Sequence, residues 1–387
     1  MSNDPHKTAK ASAPTPPTTQ QEVFVPPAEW RVRCDVRKLT PHTKLEYLSL
    51  NNDLLRCLVD VQPPSFIVFF LVGWDLYEYL RPANYTLELM QEMLDIHKKW
   101  PTQTRVLVLQ NDYARYEKLA SAFRNRRFET AAGGASMALL PVYNCYQELS
   151  NASQSLARGG LNMEAYARVS AGASFAVMHM QSTKSILGFL VAIVGNDAIL
   201  YDHSAVTALV ATAISWNVLE MTKRESKLCG QAALMHDVER NCAHLFKPAV
   251  HDRISTAAIK ELKNLQESVG LGFHAVILQT MGQYREKFTG GGFPGTNHGA
   301  SEERGDTGIE RTARIVAIAC AFSEYLLKRQ DKHSLSLTMI LDLIKQRTKD
   351  DFDPDIVTAL IEAATSDAIR KVGKQKEAFE DKEDYDD

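Results

Sequence analysis

The chain of 387 residues is long enough for roughly two or three domains, and its 45% apolar content favours at least one sizeable hydrophobic core. Its 44 basic and 47 acidic residues nearly balance, at a formal net charge of −3, which gives no sign of a nucleic-acid polymer or a membrane surface as a partner. The six cysteines form no C-x-x-C pair, so a zinc ribbon is not supported, and their wide scatter is typical of buried thiols in a reducing compartment.

Both ends of the chain predict unfolded segments. Residues 1–28 are rich in Pro, Thr, Ala and Gln and lack the apolar stretch of a secretory signal, so we expect a disordered arm. Residues 373–387 form an acidic tail. The longest apolar runs, Phe66–Val72 and Leu187–Val194, are much shorter than a membrane span. We therefore expect a cytoplasmic protein without a membrane span.

A first folded module is expected over residues 29–120. Two short apolar runs, Ile67–Leu71 and Val106–Leu109, predict strands. Between them, the segment Thr86–Lys98 places its apolar side chains on one helical face, with Thr86 as a candidate N-cap. The order strand, helix, strand indicates a small α/β module.

The rest of the folded chain is predicted to be helical. Residues 121–184 form a helical linker region with glycine breaks, and in residues 185–372 Ala, Leu and Ile recur at three- and four-residue spacing. A polar, glycine-rich loop that begins with Thr289–Gly295 interrupts this pattern. Its backbone N–H groups could approach a phosphate, but a surface turn between two helices is the favoured interpretation. The predicted fold class is mainly α: a helical bundle preceded by the α/β module and flanked by disordered tails.

The candidate chemistry begins with His236 and Asp237, which follow an apolar run at a predicted helix end. An imidazole nitrogen beside a carboxylate can bind a divalent cation such as Mn or Fe, although such pairs also occur by chance, and His251-Asp252 is a second one. Earlier in the chain, His203 lies at the start of the apolar helix predicted over residues 205–219. His203 could therefore face His236 and Asp237 across a helical bundle.

Three further motifs follow in order: Gly292-Phe293-Pro294, the helix opening Arg314–Ala319, and Phe352-Asp353-Pro354. Together with the histidine motifs, their order resembles the HD-GYP family of bacterial cyclic-di-GMP phosphodiesterases. That family shows a His-Ser on a first helix, an H-D-x-G-K motif, a His pair with Glu, a G-Y-P loop, an R-I-x-x-I-x-D helix and an F-D-P segment. The resemblance implies an HD-GYP-like helical domain over residues 185–372. The segment Trp74–Tyr77 also resembles part of a small module that often precedes such domains.

The resemblance implies a metal-dependent phosphodiesterase centre and places His203, His236 and Asp237 on metal-ligand positions. Arg240 stands where the family has the Lys of its H-D-x-G-K motif, and it could still contact a phosphate. A hydrolytic centre of this kind needs two ions about 3.5–4 Å apart, joined by a carboxylate and an activated water. The three retained ligands would hold one ion weakly rather than two.

The remaining family positions depart from the pattern. The paired histidines correspond to Tyr284 and Arg285, and Arg285 would place a cation where a ligand should stand. Glu286 keeps the Glu of that motif, whereas two Asp positions and the Tyr position of the family hold Thr289, Cys320 and Phe293. We therefore predict that the domain has lost two-metal hydrolysis and carries no cofactor.

The leading hypothesis is a non-catalytic HD-GYP-like protein of bacterial cyclic-di-GMP signalling, either a scaffold for a protein partner or a nucleotide sensor. In a sensor, Arg240 and Arg285 would contact the phosphates of cyclic-di-GMP. The alternative is an active phosphodiesterase that holds Fe or Mn with a non-standard ligand set, in which His251, His274 or Cys320 would be replacements. The resemblance also implies that two copies could form a homodimer. A related HDOD-type domain is less similar because of the glycine-rich loop.

Overall fold

The computed structural model is mainly α, with a small antiparallel sheet ahead of a bundle of helices, and this fold class is as the sequence predicted. It describes residues 24–28, 30–40, 47–50, 55, 57–60, 63–100, 103–159, 162–197, 200–238, 274–293, 308–330, 333–348 and 350–365. The strands are β1 (Val32–Asp35), β2 (Tyr47–Ser49), β3 (Val68–Val72), β4 (Asp75–Leu80), β5 (Thr104–Leu109), β6 (Arg329–Gln330) and β7 (His333–Ser334). The helices are α1 (Cys57–Asp60), α2 (Leu87–Lys99), α3 (Tyr113–Ala132), α4 (Ser136–Gly159), α5 (Met163–Met178), α6 (Thr183–Ala192), α7 (His203–Ala213), α8 (Lys223–Met235), α9 (Ala275–Gln283), α10 (Arg311–Leu326), α11 (Leu337–Gln346) and α12 (Pro354–Thr365).

The N-terminal sheet has the strand order β1-β4-β3-β5-β2, and every neighbouring pair is antiparallel. The two predicted strands, β3 and β5, lie next to each other inside the sheet, with Phe70 opposite Val106. The sequence prediction missed the other three strands. Strands β1 and β2 span only four and three residues, and β4 carries apolar side chains on both faces, so none of them shows a clear alternating pattern.

Side chains alternate between the two faces of this sheet along each strand, and a hydrophobic core covers each face. On one face, Phe70 shares a core with Met90 and Met93 of α2. A smaller core covers the opposite face. Helix α2 begins as predicted: Oγ1 of Thr86 accepts a hydrogen bond from the N–H of Leu89 at 3.2 Å.

Helix α3 belongs to both halves of the molecule. Its first part, from Tyr113 to Phe123, packs in the core beneath the sheet. Its last part contributes Phe128 and Ala132 to the core of the helical bundle. The ring of Phe128 stacks on Tyr143 of α4, with the ring centroids 3.9 Å apart. One continuous helix therefore connects the sheet core with the bundle core.

The bundle has one continuous apolar core. Helices α4 and α5, which lie in the predicted linker region 121–184, contribute to it together with the helices that follow. Small residues allow close approach between helices: a Cβ built on Gly172 of α5 would lie 3.2 Å from the carbonyl oxygen of Glu148. The domain boundaries remain a prediction, but the helices of the linker region are structural members of the bundle.

The predicted arm and acidic tail lie largely outside the described residues. Residues 24–28 are the exception, because Phe24 is buried and its ring contacts Trp30 and Trp100. The N–H of Phe24 donates to Oε1 of Gln103 at 2.8 Å. At this end of the segment the expectation of a disordered arm is therefore wrong, since aromatic burial fixes the backbone.

No single helix in the described ranges combines the length and apolar character needed to cross a membrane. Met163–Met178 and Thr183–Asn196 meet these criteria of length and composition only as a pair, with a bend of 118° between them.

Replacing Gly230 by Ala should destabilise the bundle. The added Cβ would lie 2.8 Å from Oγ1 of Thr212 and 3.3 Å from Cβ of Ala173, and such close-packed interiors have little room to adjust. We expect the free energy of unfolding to fall by about 1–3 kcal/mol, measured by urea denaturation.

The matched control is Gly188→Ala in α6. No atom of its surroundings lies within 4 Å of the added Cβ, so the higher helix propensity of Ala should stabilise the protein by up to about 1 kcal/mol. Equal stability of the two variants would contradict the close packing of α8 against α5 and α7.

Candidate functional site

Asp202 sets where α7 begins and thereby places His203. Its carboxylate accepts the N–H of Ala205 at 3.0 Å, which satisfies a backbone donor of the first helical turn. Two hydroxyl groups of α4, from Ser150 and Ser153, each donate to the same carboxylate at 3.1 Å. Burial raises the pKa of Asp202, and these donors oppose that rise. His203, the first residue of α7, is consequently anchored against α4.

His236 follows the end of α8. The helix begins with a capping box formed by Thr222 and Glu225 and ends at Met235. His236 is buried, and its Nδ1 lies 2.6 Å from the carbonyl oxygen of Ala233. Because a carbonyl oxygen can only accept, Nδ1 carries a proton. In the tautomer that carries only this proton, Nε2 of His236 presents its lone pair to the site.

The histidine motifs predicted from the sequence meet between α7, α8 and α10. The Nε2 atoms of His203 and His236 are 3.2 Å apart, and Oδ2 of Asp237 is 3.8 Å from each of them. Cys320, on α10, places its Sγ 3.7 Å from Nε2 of His203. Within the described part of the chain, His203, His236 and Cys320 form the one group of three ligand-type side chains whose donor atoms all lie within 4.8 Å of one another. Cys320, expected to be a lost position, therefore lies in the site.

The imidazole of His203 is oriented through its other nitrogen. Nδ1 lies 3.0 Å from Oγ of Ser323 and 3.2 Å from the hydroxyl of Tyr201. Ser323 follows Cys320 by three residues, so both side chains lie on the same face of α10. The sequence prediction missed Ser323 and Tyr201, because hydroxyl side chains are common and only the packing of α10 against α7 singles these two out.

Asp237 is the buried charge at the centre of this cluster. Its Oδ1 accepts a hydrogen bond from the hydroxyl of Tyr284 at 2.6 Å and another from Nη2 of Arg285 at 3.3 Å. Burial by itself would raise the pKa of Asp237, but His236, the Tyr284 hydroxyl, His203 and Arg285 outweigh it and lower this pKa to about 2. Burial and the Asp237 carboxylate raise the pKa of Tyr284 far above its usual value, so its hydroxyl remains a donor. Asp237 is therefore ionised at neutral pH, with its charge compensated by the protein.

The glycine-rich loop forms a tight turn that packs against the backbone of Arg285. A Cβ on Gly292 would collide with backbone atoms of the segment 285–287, so only glycine allows this approach. The N–H of Phe293 donates to the carbonyl oxygen of Arg285 at 3.1 Å. Gly290 and Gly291 have φ angles of 97° and 79°, which L side chains rarely adopt. The described part of the loop, up to Phe293, thus forms a tight turn that helps to position Arg285.

The other candidates named from the sequence have different surroundings. The hydroxyl of Thr289 donates to the carbonyl oxygen of Asp350 at 2.9 Å, the side chain of Phe293 is exposed, and Glu286 is buried. His274 is an exposed N-cap of α9. Arg240 and His251 lie outside the described residues. Six of the positions named from the sequence come together in the structure: His203, His236, Asp237, Tyr284, Arg285 and Cys320.

An ion pair joins two of the motifs that the sequence singled out without a role. Nη1 of Arg314, on α10, donates to Oδ2 of Asp353 at 2.5 Å. The other carboxylate oxygen of Asp353 accepts the N–H of Asp355 at 3.0 Å, at the start of α12. Both side chains are largely buried, so this pair connects α10 to the start of α12.

A two-metal hydrolytic centre does not fit these residues. Such a centre needs a carboxylate that joins two ions about 3.5–4 Å apart. One oxygen of Asp237 already accepts hydrogen bonds from Tyr284 and Arg285, and the guanidinium would repel a second cation. The donor atoms of His203, His236 and Cys320 all lie within 4.8 Å of one another, so this group suits one ion at most.

Comparison with known proteins leaves the family open. No family model matches the chain, and no curated protein matches it. Among solved structures, the chain is similar to Bd1817, a HDG"Y"P protein from Bdellovibrio bacteriovorus, with a TM-score of 0.46 and 14% sequence identity. The match covers 83% of this chain and 100% of that chain. A likeness of this extent transfers no function, so the site has to be interpreted from its own geometry.

Replacing Tyr284 by Phe should destabilise the protein by about 2 kcal/mol, because it removes a hydrogen bond to a buried ionised carboxylate. The matched control is Tyr143→Phe, whose hydroxyl donates to the neutral amide oxygen of Asn125 at 2.7 Å and should contribute only about 1 kcal/mol. Urea denaturation at neutral pH measures both. A loss in Tyr284→Phe no larger than that in Tyr143→Phe would show that Asp237 does not depend on this hydroxyl.

Proposed function

We propose that this protein is a non-hydrolytic HD-GYP-like member of bacterial cyclic-di-GMP signalling, whose helical bundle serves as a scaffold for a protein partner. The family resemblance rests on the order of its motifs along the sequence. It is supported by the meeting of His203 with His236 and Asp237, and by the ion pair between Arg314 and Asp353. These contacts join motifs that are distant in the sequence, as expected if the motifs belong to one fold.

The main support for the proposed absence of hydrolysis is the pairing of Asp237 with Tyr284 and Arg285. In a two-metal centre a metal ion would neutralise this carboxylate. Here a hydroxyl at 2.6 Å and a guanidinium at 3.3 Å satisfy one of its oxygens. The bundle can therefore keep a buried carboxylate without the second ion that phosphodiester hydrolysis requires.

We favour a scaffold over a cyclic-di-GMP sensor because Arg285, one of the two cations expected to bind phosphate, is already engaged; the other, Arg240, lies outside the described residues. The side chain of Arg285 is 38% exposed, yet it forms an ion pair with a buried carboxylate. A phosphate would have to compete with Asp237 for the same guanidinium, at a cost of leaving a buried charge less well compensated.

Full-length protein should not hydrolyse cyclic-di-GMP when supplied with Mn²⁺ or Fe²⁺. The linear dinucleotide product is measured by liquid chromatography over several hours, beside a known phosphodiesterase as the positive control. Turnover that disappears in His236→Ala would overturn the proposal and support the active enzyme. Turnover that persists in His236→Ala would be assigned to a contaminant.

Isothermal titration with cyclic-di-GMP separates the scaffold from the sensor. We expect no saturable binding to the parent protein. Saturable binding that weakens at least about tenfold in Arg285→Ala, but not in the control Arg347→Ala, would favour the sensor instead. Arg347 is a suitable control because it is similarly exposed and also paired with a carboxylate, at 2.7 Å from Asp351.

A further inference from the structure

A groove along α2 of the N-terminal module, with a volume of about 670 Å³, combines apolar and acidic side chains. Its apolar lining consists of Val59 from α1 with Leu87, Ile96 and Trp100, and its acidic lining consists of three carboxylates of α2. We propose that this acidic groove binds residues 7–17 of the same chain, a segment with two lysines and a proline-rich motif. The contact goes beyond the proposed function, since it concerns the module ahead of the helical bundle and requires no nucleotide.

The three carboxylates of the acidic groove are those of Glu88, Glu92 and Asp95, which are all exposed. Within the described ranges none of them forms an ion pair. Two of them accept hydrogen bonds from neutral groups: the hydroxyl of Tyr79 donates to Oε2 of Glu92 at 3.3 Å, and Nε2 of Gln91 donates to Oδ1 of Asp95 at 3.1 Å. Spacings of four and three residues bring the like charges together on one side of the helix, where they destabilise α2 unless a cation approaches.

The indole of Trp100 gives the acidic groove an aromatic surface. Nζ of Lys99, the one basic side chain among the described residues that line the groove, lies over this ring at 4.2 Å from its centroid. The ring face thus already interacts with an ammonium group. One ammonium against three carboxylates leaves the groove with a negative charge. Leu87, which is 54% exposed, adds an apolar surface that a bound segment would cover.

The described part of the chain begins next to the acidic groove. The ring centroid of Phe24 lies 4.7 Å from that of Trp100, and the N–H of Phe24 donates to Oε1 of Gln103 at 2.8 Å. Residues 1–23, which lie outside the described residues, are therefore joined to the module beside the aromatic side of the groove. A contact within one chain needs only a weak affinity, because a short connection gives an effective concentration on the order of millimolar.

Residues 7–17 carry groups that complement the acidic groove. Lys7 and Lys10 are cations, and Pro14-Thr15-Pro16-Pro17 favours a polyproline II conformation. Segments with prolines three residues apart bind grooves lined by aromatic side chains, because their conformation is already formed before binding. The prolines therefore suit Trp100 and the apolar lining, and the lysines suit the carboxylates. A protein partner of the same chemistry would have to displace this segment, which thereby regulates access to the groove.

The spacing of the lysines and prolines matches the spacing of the side chains in the acidic groove. At about 3.1 Å per residue in polyproline II, Lys10 lies about 12 Å from Pro14. At about 1.5 Å per residue along α2, Glu92 and Glu88 lie about 12 and 18 Å from Trp100. With the prolines on the indole, Lys10 therefore reaches the carboxylates. The six residues after the proline motif allow the chain to return to the described part of the module.

Zero-length crosslinking of the full-length protein tests the contact. A carbodiimide joins a lysine amine to a carboxylate when the two groups meet, and mass spectrometry identifies the joined peptides. We expect the amine of Lys7 or Lys10 to couple to Glu88, Glu92 or Asp95. The coupling should be lost in about 1 M NaCl, where the Debye length is only about 3 Å.

Two comparisons make the crosslinking result decisive. Glu129 of α3 and Glu148 of α4 are exposed acids outside the acidic groove and serve as control sites. A mixture of unlabelled and nitrogen-15-labelled protein distinguishes coupling within one chain, which we expect, from coupling between two copies. Coupling of the two lysines to the control acids as often as to the groove, coupling mainly between copies, or no coupling to the groove would overturn the proposal.

Reversing the charges of the acidic groove provides a test without a crosslinker. In the parent protein the backbone amides of residues 11–13 should show the nitrogen-15 heteronuclear NOE of a folded segment. The double variant Glu88→Lys/Glu92→Lys should lose this NOE, and adding Lys7→Glu/Lys10→Glu should restore it, which also guards against misfolding. The same charge reversal at the two control acids should leave the NOE unchanged. A low NOE in the parent protein, an unchanged NOE in the groove variant, or no restoration by the exchanged charges would contradict the contact.

Discussion

The buried carboxylate of Asp237 is the constraint on which the centre of the bundle depends. An ionised group inside a protein is tolerated only when its oxygens have charged or hydrogen-bonding partners. Tyr284 and Arg285 satisfy one oxygen, and His203 and His236 face the other. The ends of α8 and α9 and the start of α7 must therefore meet at one point, and the rest of the bundle holds them there.

Several local devices keep this meeting point in place. Asp202 ties the first turn of α7 to α4, and the capping box at Thr222 defines where α8 starts, thirteen residues before His236. Gly292 lets the loop after α9 fold onto the backbone of Arg285. Each of these contacts helps to place a residue of the same cluster. Apart from Cys320, which lies within α10, the site is thus built from helix ends, where side chains and backbone groups without an intrahelical partner are both available.

The balance of charges connects the structure to the proposed function. An arginine compensates a carboxylate that a metal-dependent hydrolase would use to hold its ions. With Arg285 in the place of a metal ion, the proposed protein lacks the second ion that phosphodiester hydrolysis requires, and the bundle keeps its polar centre. A polar cluster of two imidazoles, one thiol and the Asp237 carboxylate remains between α7, α8 and α10.

Much of the architecture follows from the sequence. Apolar periodicity predicted the helical bundle and two strands of the sheet, and the order of short motifs singled out His203, His236, Asp237 and Arg285. The short strands β1 and β2 escaped prediction because three or four residues show no reliable period. Phe24 was assigned to a disordered arm because composition does not reveal that its ring packs against Trp30 and Trp100.

Only the tertiary structure decided the chemistry of the site. The sequence by itself determined which residue types stand at each motif, and hence that Tyr284, Arg285 and Cys320 differ from the motifs of the family that it resembles. It could not show that Tyr284 and Arg285 bind Asp237, or that Cys320 lies 3.7 Å from His203, because these contacts cross 47, 48 and 117 residues of chain. Distances of this kind depend on how helices pack, and packing depends on the whole core rather than on any local pattern.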